Sequence, residues 1–247
     1  MDKVVVITGA SGGIGAALAE LLAARGARVV LVARRERELR EVAARCGANA
    51  HVTIADMTAR AEVQRVVAET LQRFGRIDVW VNNVGRGISR LPSELTDSDI
   101  DQMITVNVKS ALYGMQEVLP HFRERGAGQV INISSMLGRI PYALPRAAYS
   151  AAKHYLNALT ANFRTETRER FPGIVFTIIS PGVVYTDFGI HALHGGNDSR
   201  SLPGGQDVGV VATAIADAIE SGAEEVYTLP GARERVMDYY AQLGAPR

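Results

Sequence analysis

Tyr149 and Lys153 are the two residues whose types and spacing most clearly permit chemistry. They are separated by one helical turn in Tyr149-Ser-Ala-Ala-Lys153, so on a helix both side chains share one face. A free tyrosine has a pKa of about 10, and a neighbouring ammonium favours the phenolate. We therefore expect Lys153 to lower the pKa of Tyr149, which lets the phenol exchange a proton with an alcohol or carbonyl oxygen.

Two serines, Ser134 and Ser135, precede this pair and offer a hydroxyl that can hold the same oxygen. The plainer interpretation is a surface tyrosine on an amphipathic helix. Lysine is rare in this chain, where Lys3, Lys109 and Lys153 are the only examples among 27 basic residues. The presence of Lys153 beside Tyr149 favours a specific use of its ammonium group. Other elements of the chain must position these side chains.

Composition sets the limits on function. The chain has 247 residues, 47% of them hydrophobic, and a net charge of +1, so bulk charge does not favour nucleic acid or membrane partners. Cys46 is the only cysteine, which excludes an internal disulfide and suits a reducing compartment. The short start Met1-Asp2-Lys3 resembles no secretion signal. We expect a cytoplasmic protein without a membrane span.

A glycine-rich turn follows the first predicted strand, Val4–Ile7. It reads Thr8-Gly-Ala-Ser-Gly-Gly-Ile-Gly15 and leads into a helical pattern over Ala17–Ala24. Glycines allow close approach of a pyrophosphate, and a helix N-terminus supplies free N–H groups. Strand, glycine turn and helix therefore predict a dinucleotide site, although such a turn also occurs without a ligand.

The second predicted strand, Arg28–Ala33, ends in Arg34-Arg35. Proteins of this kind that prefer NAD usually place an acidic residue here, on the ribose hydroxyls. Arginine instead binds a 2′-phosphate, so we expect Arg34 to favour NADP(H) over NAD, with Ser11 also within reach of the phosphate. The alternative is that Arg34 is a solvated cation at a helix start.

Polar side chains end the next two predicted strands. Asp56 follows strand His51–Ala55 and is expected to accept from an adenine amino group, to cap the helix Ala61–Phe74, or to do both. Asn82 and Asn83 follow strand Ile77–Val81 and are expected to hold neighbouring backbone.

The remaining pattern continues the alternation of strands and helices. Capping residues at Thr96–Asp99 predict the start of a long helix to Arg123, with Asn107 in its middle. The later elements are predicted at 129–133, 147–169, 174–179, 208–221, 225–229 and 233–243. This order predicts an α/β fold: one doubly wound Rossmann-like domain over 1–247, with a seven-stranded parallel sheet and helices on both faces. The polar, glycine-rich stretch 187–206 is a candidate substrate lid.

Six sequence pieces in this order resemble the short-chain dehydrogenase/reductase family over essentially the full length. They are T-G-A-S-G-G-I-G at 8–15, N-N-V-G at 82–85, Asn107, S-S at 134–135, Y-S-A-A-K at 149–153 and P-G-V-V-Y-T at 181–186. The resemblance implies hydride transfer between a nicotinamide cofactor and a carbonyl or secondary alcohol.

The resemblance also implies roles for single residues. Tyr149 would be the catalytic acid/base, and Lys153 would lower its pKa and bind the nicotinamide ribose. Ser135 would orient the substrate oxygen, and Asn107 would hold a water molecule in a proton relay. The positions that would contact NADP(H) are Gly9, Ser11, Gly13, Ile14, Gly15, Arg34, Asp56, Met57, Asn83, Val84, Gly85, Tyr149, Lys153, Pro181, Gly182, Val184 and Thr186.

Three features depart from the family pattern. Val84 stands where alanine is common, and the gap between Ser135 and Tyr149 is one residue longer than usual, which leaves Ser134 open as the alternative serine. The last strand lacks the V-D-G-G sequence common in tetrameric members. A homodimer through the two long helices is therefore expected, with a tetramer as the alternative.

Other functions remain as alternatives. A non-catalytic dinucleotide-binding sensor or scaffold would need the glycine turn and Arg34, but not the four catalytic positions. A zinc site at His191 and His194 is not expected, because no cysteine cluster accompanies them. The substrate is expected to be a small molecule in a largely apolar pocket. The candidate pocket residues are Leu137, Pro141, Tyr142, Leu144 and Phe188, with Arg86, Arg139 and Arg146 as possible anion contacts.

Overall fold

A seven-stranded parallel sheet forms the centre of the molecule, in a computed structural model that describes residues 1–243. The strands are β1 (Val4–Thr8), β2 (Arg28–Ala33), β3 (Ala50–Ile54), β4 (Val79–Asn82), β5 (Ala127–Ile133), β6 (Gly173–Ser180) and β7 (Glu225–Tyr227). Their spatial order is β3-β2-β1-β4-β5-β6-β7, and every neighbouring pair is parallel. The predicted α/β sheet is confirmed.

Helices cover both faces of this sheet. They are α1 (Gly13–Ala24), α2 (Glu36–Cys46), α3 (Arg60–Phe74), α4 (Asp97–Ile104), α5 (Ser110–Arg125), α6 (Ala147–Arg168), α7 (Val208–Ser221) and α8 (Ala232–Gln242). No helix within residues 1–243 combines the length and the apolar character needed to cross a membrane.

The alternation of side chains along the strands creates two cores. Val5 and Ile7 of β1 pack with α1, α2 and α7, whereas Val4 and Val6 of the same strand pack with α3, α5 and α6. Successive side chains of a strand point to opposite faces, so a strand covered on both faces must be apolar throughout. This requirement explains the β-branched runs from which the strands were predicted.

The strand order reverses between β1 and β4, which are hydrogen-bonded neighbours at the centre of the sheet. Connections leave β1 and β4 toward opposite sides, so the loops after them separate and leave a crevice at the carboxyl edge. Ligands of open α/β sheets bind in such a crevice.

The long helix predicted for Asp99–Arg123 is wrong in one respect. The structure has two α-helices, α4 and α5, joined by a π-helical turn at Thr105–Lys109. Three of the five residues in this turn, Thr105, Val106 and Val108, are β-branched and fit a regular helix less well. The predicted helix start is confirmed: Thr96 and Asp99 form a reciprocal capping box.

Element ends differ from the sequence prediction at two places that matter for the cleft. Helix α1 begins at Gly13, inside the glycine turn, and not with the apolar pattern at Ala17. Strand β7 ends at Tyr227, two residues earlier than predicted. The first difference brings the helix N-terminus directly to the carboxyl edge of β1.

Candidate active site

A cleft of about 1120 Å³ runs along the carboxyl edge of the sheet. Ser135, Tyr149 and Lys153 line one part of it. The predicted cofactor contacts that line it are Gly9, Ser11, Gly13, Ile14, Arg34, Asp56, Met57, Asn83, Val84, Gly85, Pro181, Gly182, Val184 and Thr186. Gly15 and Asn107, which were also predicted as site residues, lie behind the wall of the cleft.

The glycine turn has the shape that a pyrophosphate requires. Gly9 and Gly13 adopt positive φ angles of 66° and 53°, which favour glycine. A Cβ on Gly15 would lie 2.5 Å from the carbonyl oxygen of Gly9, so this glycine serves helix–strand packing. The N-cap of α1 is Gly12, which has no side chain to occupy the first N–H groups. These N–H groups can therefore receive phosphate oxygens.

Asn83 holds the turn in place, as expected. Its Nδ2 donates to the carbonyl oxygens of Thr8 and Gly9, at 3.1 and 3.2 Å. Its backbone N–H donates to Oγ1 of Thr8 at 3.0 Å. The end of β4 is thereby tied to the end of β1 across the crevice.

Two arginines, Arg34 and Arg35, line the cleft directly after β2. The side chain of Arg34 is 75% exposed, with Nη1 3.4 Å from a carboxylate oxygen of Asp56. Arg35 instead reaches the glycine turn, and its Nε and Nη2 donate to Oγ and the carbonyl oxygen of Ser11 at 3.2 and 3.4 Å. Sequence reasoning assigned Arg34 and Ser11 but missed Arg35, although the dipeptide Arg34-Arg35 contained the signal.

Asp56 does not cap the following helix, so that alternative is wrong. The N-cap of α3 is Ala59, and Oδ1 of Asp56 accepts from the N–H and hydroxyl of Thr58 at 3.0 and 2.8 Å. Partial burial raises the pKa of Asp56, but the Thr58 hydrogen bonds and the Arg34 charge outweigh it and lower the pKa overall. Asp56 stays at the cleft as a charged acceptor.

Tyr149 and Lys153 both occupy the first turns of α6 and are buried. Nζ of Lys153 lies 5.6 Å from the centre of the Tyr149 ring and donates to the carbonyl oxygen of Ile133 at 2.8 Å. Burial raises the pKa of Tyr149 to about 12, against smaller lowering effects of the Ser135 hydroxyl and the Arg146 charge. Burial likewise lowers the pKa of Lys153 to about 8.

The expected fall in the pKa of Tyr149 beside Lys153 is not found, because burial of the phenol raises that pKa. Burial disfavours the charged form of both groups and sets both directions. At neutral pH Tyr149 is a protonated phenol, which is the form that can donate a proton to a developing alkoxide.

The two serines have different surroundings. Oγ of Ser135 accepts a hydrogen bond from the N–H of Leu137 at 3.1 Å. The Ser135 hydroxyl also has a lowering effect on the pKa of Tyr149. Oγ of Ser134 is buried without a hydrogen-bond partner among residues 1–243, and a Cβ on Gly138 would lie 2.8 Å from it. The geometry favours Ser135 as the hydroxyl that faces the substrate.

Asn107 is fully buried in the π turn, and its side chain forms hydrogen bonds with backbone groups. Its Nδ2 donates to the carbonyl oxygens of Arg86 and Met103 at 3.0 and 3.1 Å, and its Oδ1 accepts from the N–H of Arg86 at 3.0 Å. A π turn in a helix often marks a functional site. Here the π turn places Asn107 so that its side chain holds the backbone of Arg86, in the segment after β4.

The predicted substrate residues separate into two groups. Leu137, Tyr142 and Phe188 line the cleft, and the Phe188 ring lies 5.7 Å from the Tyr149 ring, edge to face. Pro141 and Leu144 are exposed and do not line it. The prediction for the pocket is thus partly wrong.

The three candidate arginines also differ. Arg86 and Arg146 line the cleft, whereas Arg139 pairs with Glu225 beyond its wall, so the assignment of Arg139 was wrong. His191 and His194 do not share a site, because they contact different carboxylates, Asp187 at 3.2 Å and Asp99 at 2.7 Å.

Comparison with known proteins extends these observations. A family model described as short chain dehydrogenase matches residues 3–194. An uncharacterised oxidoreductase of Staphylococcus saprophyticus is 40% identical over 192 residues, which cover 75% of this chain and 80% of that protein.

Solved structures agree in fold. A short-chain dehydrogenase/reductase from Burkholderia phymatum, in complex with NAD, has a TM-score of 0.88 at 24% identity and covers 98% of this chain and 94% of that one. A short-chain dehydrogenase from Sphingobium yanoikuyae, in complex with NADPH, has a TM-score of 0.83 at 29% identity, with 97% and 93% covered. With a family match over most of its length and the expected sheet, this chain belongs to the short-chain dehydrogenase/reductase family of oxidoreductases.

Proposed function

We propose that this protein is an NADP(H)-dependent oxidoreductase that interconverts a carbonyl compound and a secondary or primary alcohol. One observation carries the proposal: the protonated phenol of Tyr149 faces the same cleft as the glycine turn and the arginines after β2. This arrangement supports the proposal, because coupled hydride and proton transfer needs a proton donor and a dinucleotide within one cavity.

The residues present fit a nicotinamide dinucleotide. The uncapped start of α1 suits the pyrophosphate, and Arg34, Arg35 and Ser11 suit a 2′-phosphate. When bound, the reduced cofactor supplies the hydride that the carbonyl carbon receives. Asp56 and Met57 are proposed contacts of the adenine side, and Val84, Gly85, Pro181, Gly182, Val184 and Thr186 of the nicotinamide side.

The chain's own side chains then handle the oxygen and the proton. Ser135 donates a hydrogen bond that orients the carbonyl oxygen, and Tyr149 transfers its phenolic proton to that oxygen, leaving a phenolate and an alcohol. Lys153 stands beside the ring, where an ammonium would favour the phenolate that forms. Asn107 fixes the backbone of Arg86 and thus the wall behind these groups.

The preference for NADP(H) over NAD(H) rests on charge. No carboxylate ends β2, and the carboxylate of Asp56 at the end of β3 is partly neutralised by Arg34. A doubly charged 2′-phosphate would meet two guanidinium groups at this corner of the cleft. The two solved relatives described above contain NAD in one case and NADPH in the other, so the preference is argued from Arg34 and Arg35 alone.

A spectrophotometric screen tests the proposal. NADPH and NADH oxidation would be followed with the purified protein against panels of ketones, aldehydes, sugars and steroids. We expect carbonyl-dependent oxidation of NADPH that exceeds that of NADH. Tight NADPH binding without transfer of deuteride from labelled NADPH to any carbonyl compound would instead support the non-catalytic sensor or scaffold.

We also propose that residues 187–206 form the substrate lid. Leu193 in this segment bridges to Ile88, and the carboxylate of buried Asp99 accepts from both His194 and Arg90. His194 adopts a positive φ of 63°, a conformation that costs energy for a side chain with a Cβ. The contact with Asp99 offsets that cost and ties the segment to α4.

The variant His194→Ala tests this tie. It removes the contact with Asp99 but leaves the capping box of α4 intact. We expect several-fold faster tryptic cleavage after exposed Arg200 and a raised KM for the carbonyl substrate. The melting temperature should change little. His191→Ala is the matched control, because its partner Asp187 lies within the same segment. Equal cleavage rates of His194→Ala and His191→Ala would contradict the lid assignment.

A further inference from the structure

Arg146 occupies an unusual electrostatic position in this chain. Every other arginine within residues 1–243 either pairs with a carboxylate or is exposed. Arg146 is partly buried, and no carboxylate of that part of the chain forms a salt bridge with it. Burial without a charged partner lowers the pKa of its guanidinium. A charge is expensive to hold in such a place unless something else compensates it.

The surrounding backbone makes room for this guanidinium. A Cβ on Gly87 would lie 2.8 Å from Nη1 of Arg146, and a Cβ on Gly196 would lie 3.0 Å from Nη2. Neither glycine has a positive φ, so space around the guanidinium, and not backbone conformation, explains why glycine suits both positions. The slot around the guanidinium is therefore shaped by two segments of the chain, one around Gly87 and one around Gly196.

Most donors of Arg146 remain available. A guanidinium has five N–H donors. Nη1 donates to the carbonyl oxygen of Ile88 at 3.0 Å, and this is the one side-chain hydrogen bond of Arg146 within the described residues. Arg146 lines the same cleft as Tyr149, from a position one helical turn earlier at the start of α6.

Phe188 lies near both Arg146 and Tyr149. A Cβ on Gly87 would lie 3.1 Å from Cε1 of Phe188 as well as 2.8 Å from Arg146. The Phe188 ring is itself 5.7 Å from the Tyr149 ring. One aromatic side chain thus spans the interval between the proton donor and the guanidinium, and Leu137 and Tyr142 add an apolar wall.

We infer that Arg146 binds an anionic group of the substrate, so that the enzyme acts on oxo acids or aldehydo acids whose carboxylate lies a few bonds from the carbonyl. This inference rests on the proposed function. A planar carboxylate matches the geometry of a guanidinium and can accept two hydrogen bonds from it. The apolar surface of Phe188 and Leu137 suits the carbon skeleton between the two polar ends.

A binding measurement tests the anion site separately from the chemistry. Calorimetric titration of the NADP⁺-loaded protein would compare 4-formylbenzoate with its methyl ester, a pair that differs in the charge. We expect the wild type to bind the acid at least about tenfold more tightly than the ester, as charge-assisted hydrogen bonds are strong. Arg146→Gln should abolish that preference, and Arg146→Lys should retain part of it.

Arg139→Gln is the matched control, because Arg139 lies in the same loop but pairs with Glu225 outside the cleft. It should keep the wild-type preference. Near-ultraviolet circular dichroism and retained NADP⁺ affinity would show that the Arg146 variants are folded. The inference is overturned if neither compound binds, if acid and ester bind equally, or if Arg146→Gln keeps the preference.

Turnover of the same pair separates this inference from the proposed function. Selective binding of 4-formylbenzoate, together with no carbonyl-dependent NADPH oxidation by it or by the panels above, would overturn the proposed function and leave the anion site standing. Reduction of acid and ester with equal kcat/KM, unaffected by Arg146→Gln, would overturn the anion site alone. A fall in kcat for both compounds, with a shifted pH profile, would instead make Arg146 a residue that tunes Tyr149, which also overturns the inference.

Discussion

Replacing Tyr149 by Phe should lower turnover about 10²- to 10⁴-fold, the range that a positioned general acid contributes. The hydroxyl is lost, but the buried ring and its edge-to-face contact with Phe188 remain. Packing therefore changes little, while the carbonyl oxygen loses its proton donor. Steady-state kinetics with NADPH and the best substrate of the screen would measure the loss, and fluorescence titration should show NADPH affinity within a few-fold of the wild type.

Tyr155→Phe provides the matched control, since Tyr155 lies on the same helix with 52% of its surface exposed. It should behave as the wild type. Ser135→Ala should fall between the two, because it removes a hydrogen bond to the oxygen but not the proton. Wild-type turnover by Tyr149→Phe would refute the mechanism even if the fold and the cofactor site are as described.

Replacing Arg34 and Arg35 together by Ala should weaken NADPH binding by about 10²-fold or more, since hydrogen bonds to a charged group are worth about 1.5–3 kcal/mol each. NADH lacks the 2′-phosphate, so its affinity should change little. The ratio of kcat/KM values for NADPH and NADH would then fall toward or below unity. We expect Arg35→Ala alone to account for much of the change, because Arg35 is held against Ser11 at the glycine turn.

Arg37→Ala controls for loss of positive charge in this region. Arg37 is exposed on the first turns of α2 and pairs with Glu41, away from the cleft. Its removal should leave both cofactor affinities unchanged. A wild-type protein that prefers NADH, or an Arg34/Arg35 variant that keeps its preference for NADPH, would show that these arginines do not select the cofactor.

The sheet could be predicted from the sequence because its strands are buried on both faces. Val4–Ile7 and Arg28–Ala33 must be apolar at almost every position, and such runs are visible without a structure. The site could be located for a related reason: most candidates follow a strand, and parallel strands bring their carboxyl ends to one edge. Asn83 and Ser135 lie at that edge as expected.

Side-chain environments could not be predicted in the same way. The pKa of Tyr149 depends on how completely tertiary packing buries it, and the spacing to Lys153 contains no such information. Arg139 and Arg146 are both basic residues of one loop, and only the fold pairs the first with Glu225 and leaves the second in the cleft. The contact of Asp56 was also not predictable from spacing: its carboxylate accepts from the N–H of Thr58, a local hydrogen bond that competes with helix capping.

The π turn at Thr105–Lys109 joins two helices that serve different parts of the molecule. Met103, just before it, packs in the cluster that contains Tyr149, whereas Met115, beyond it, belongs to the core beneath the sheet. Loss or gain of one residue between them would rotate one helix by about 100° relative to the other and turn one of these methionines to the wrong side. The number of residues across this junction is therefore constrained more tightly than their identity, so divergence here should proceed by substitution and not by insertion or deletion.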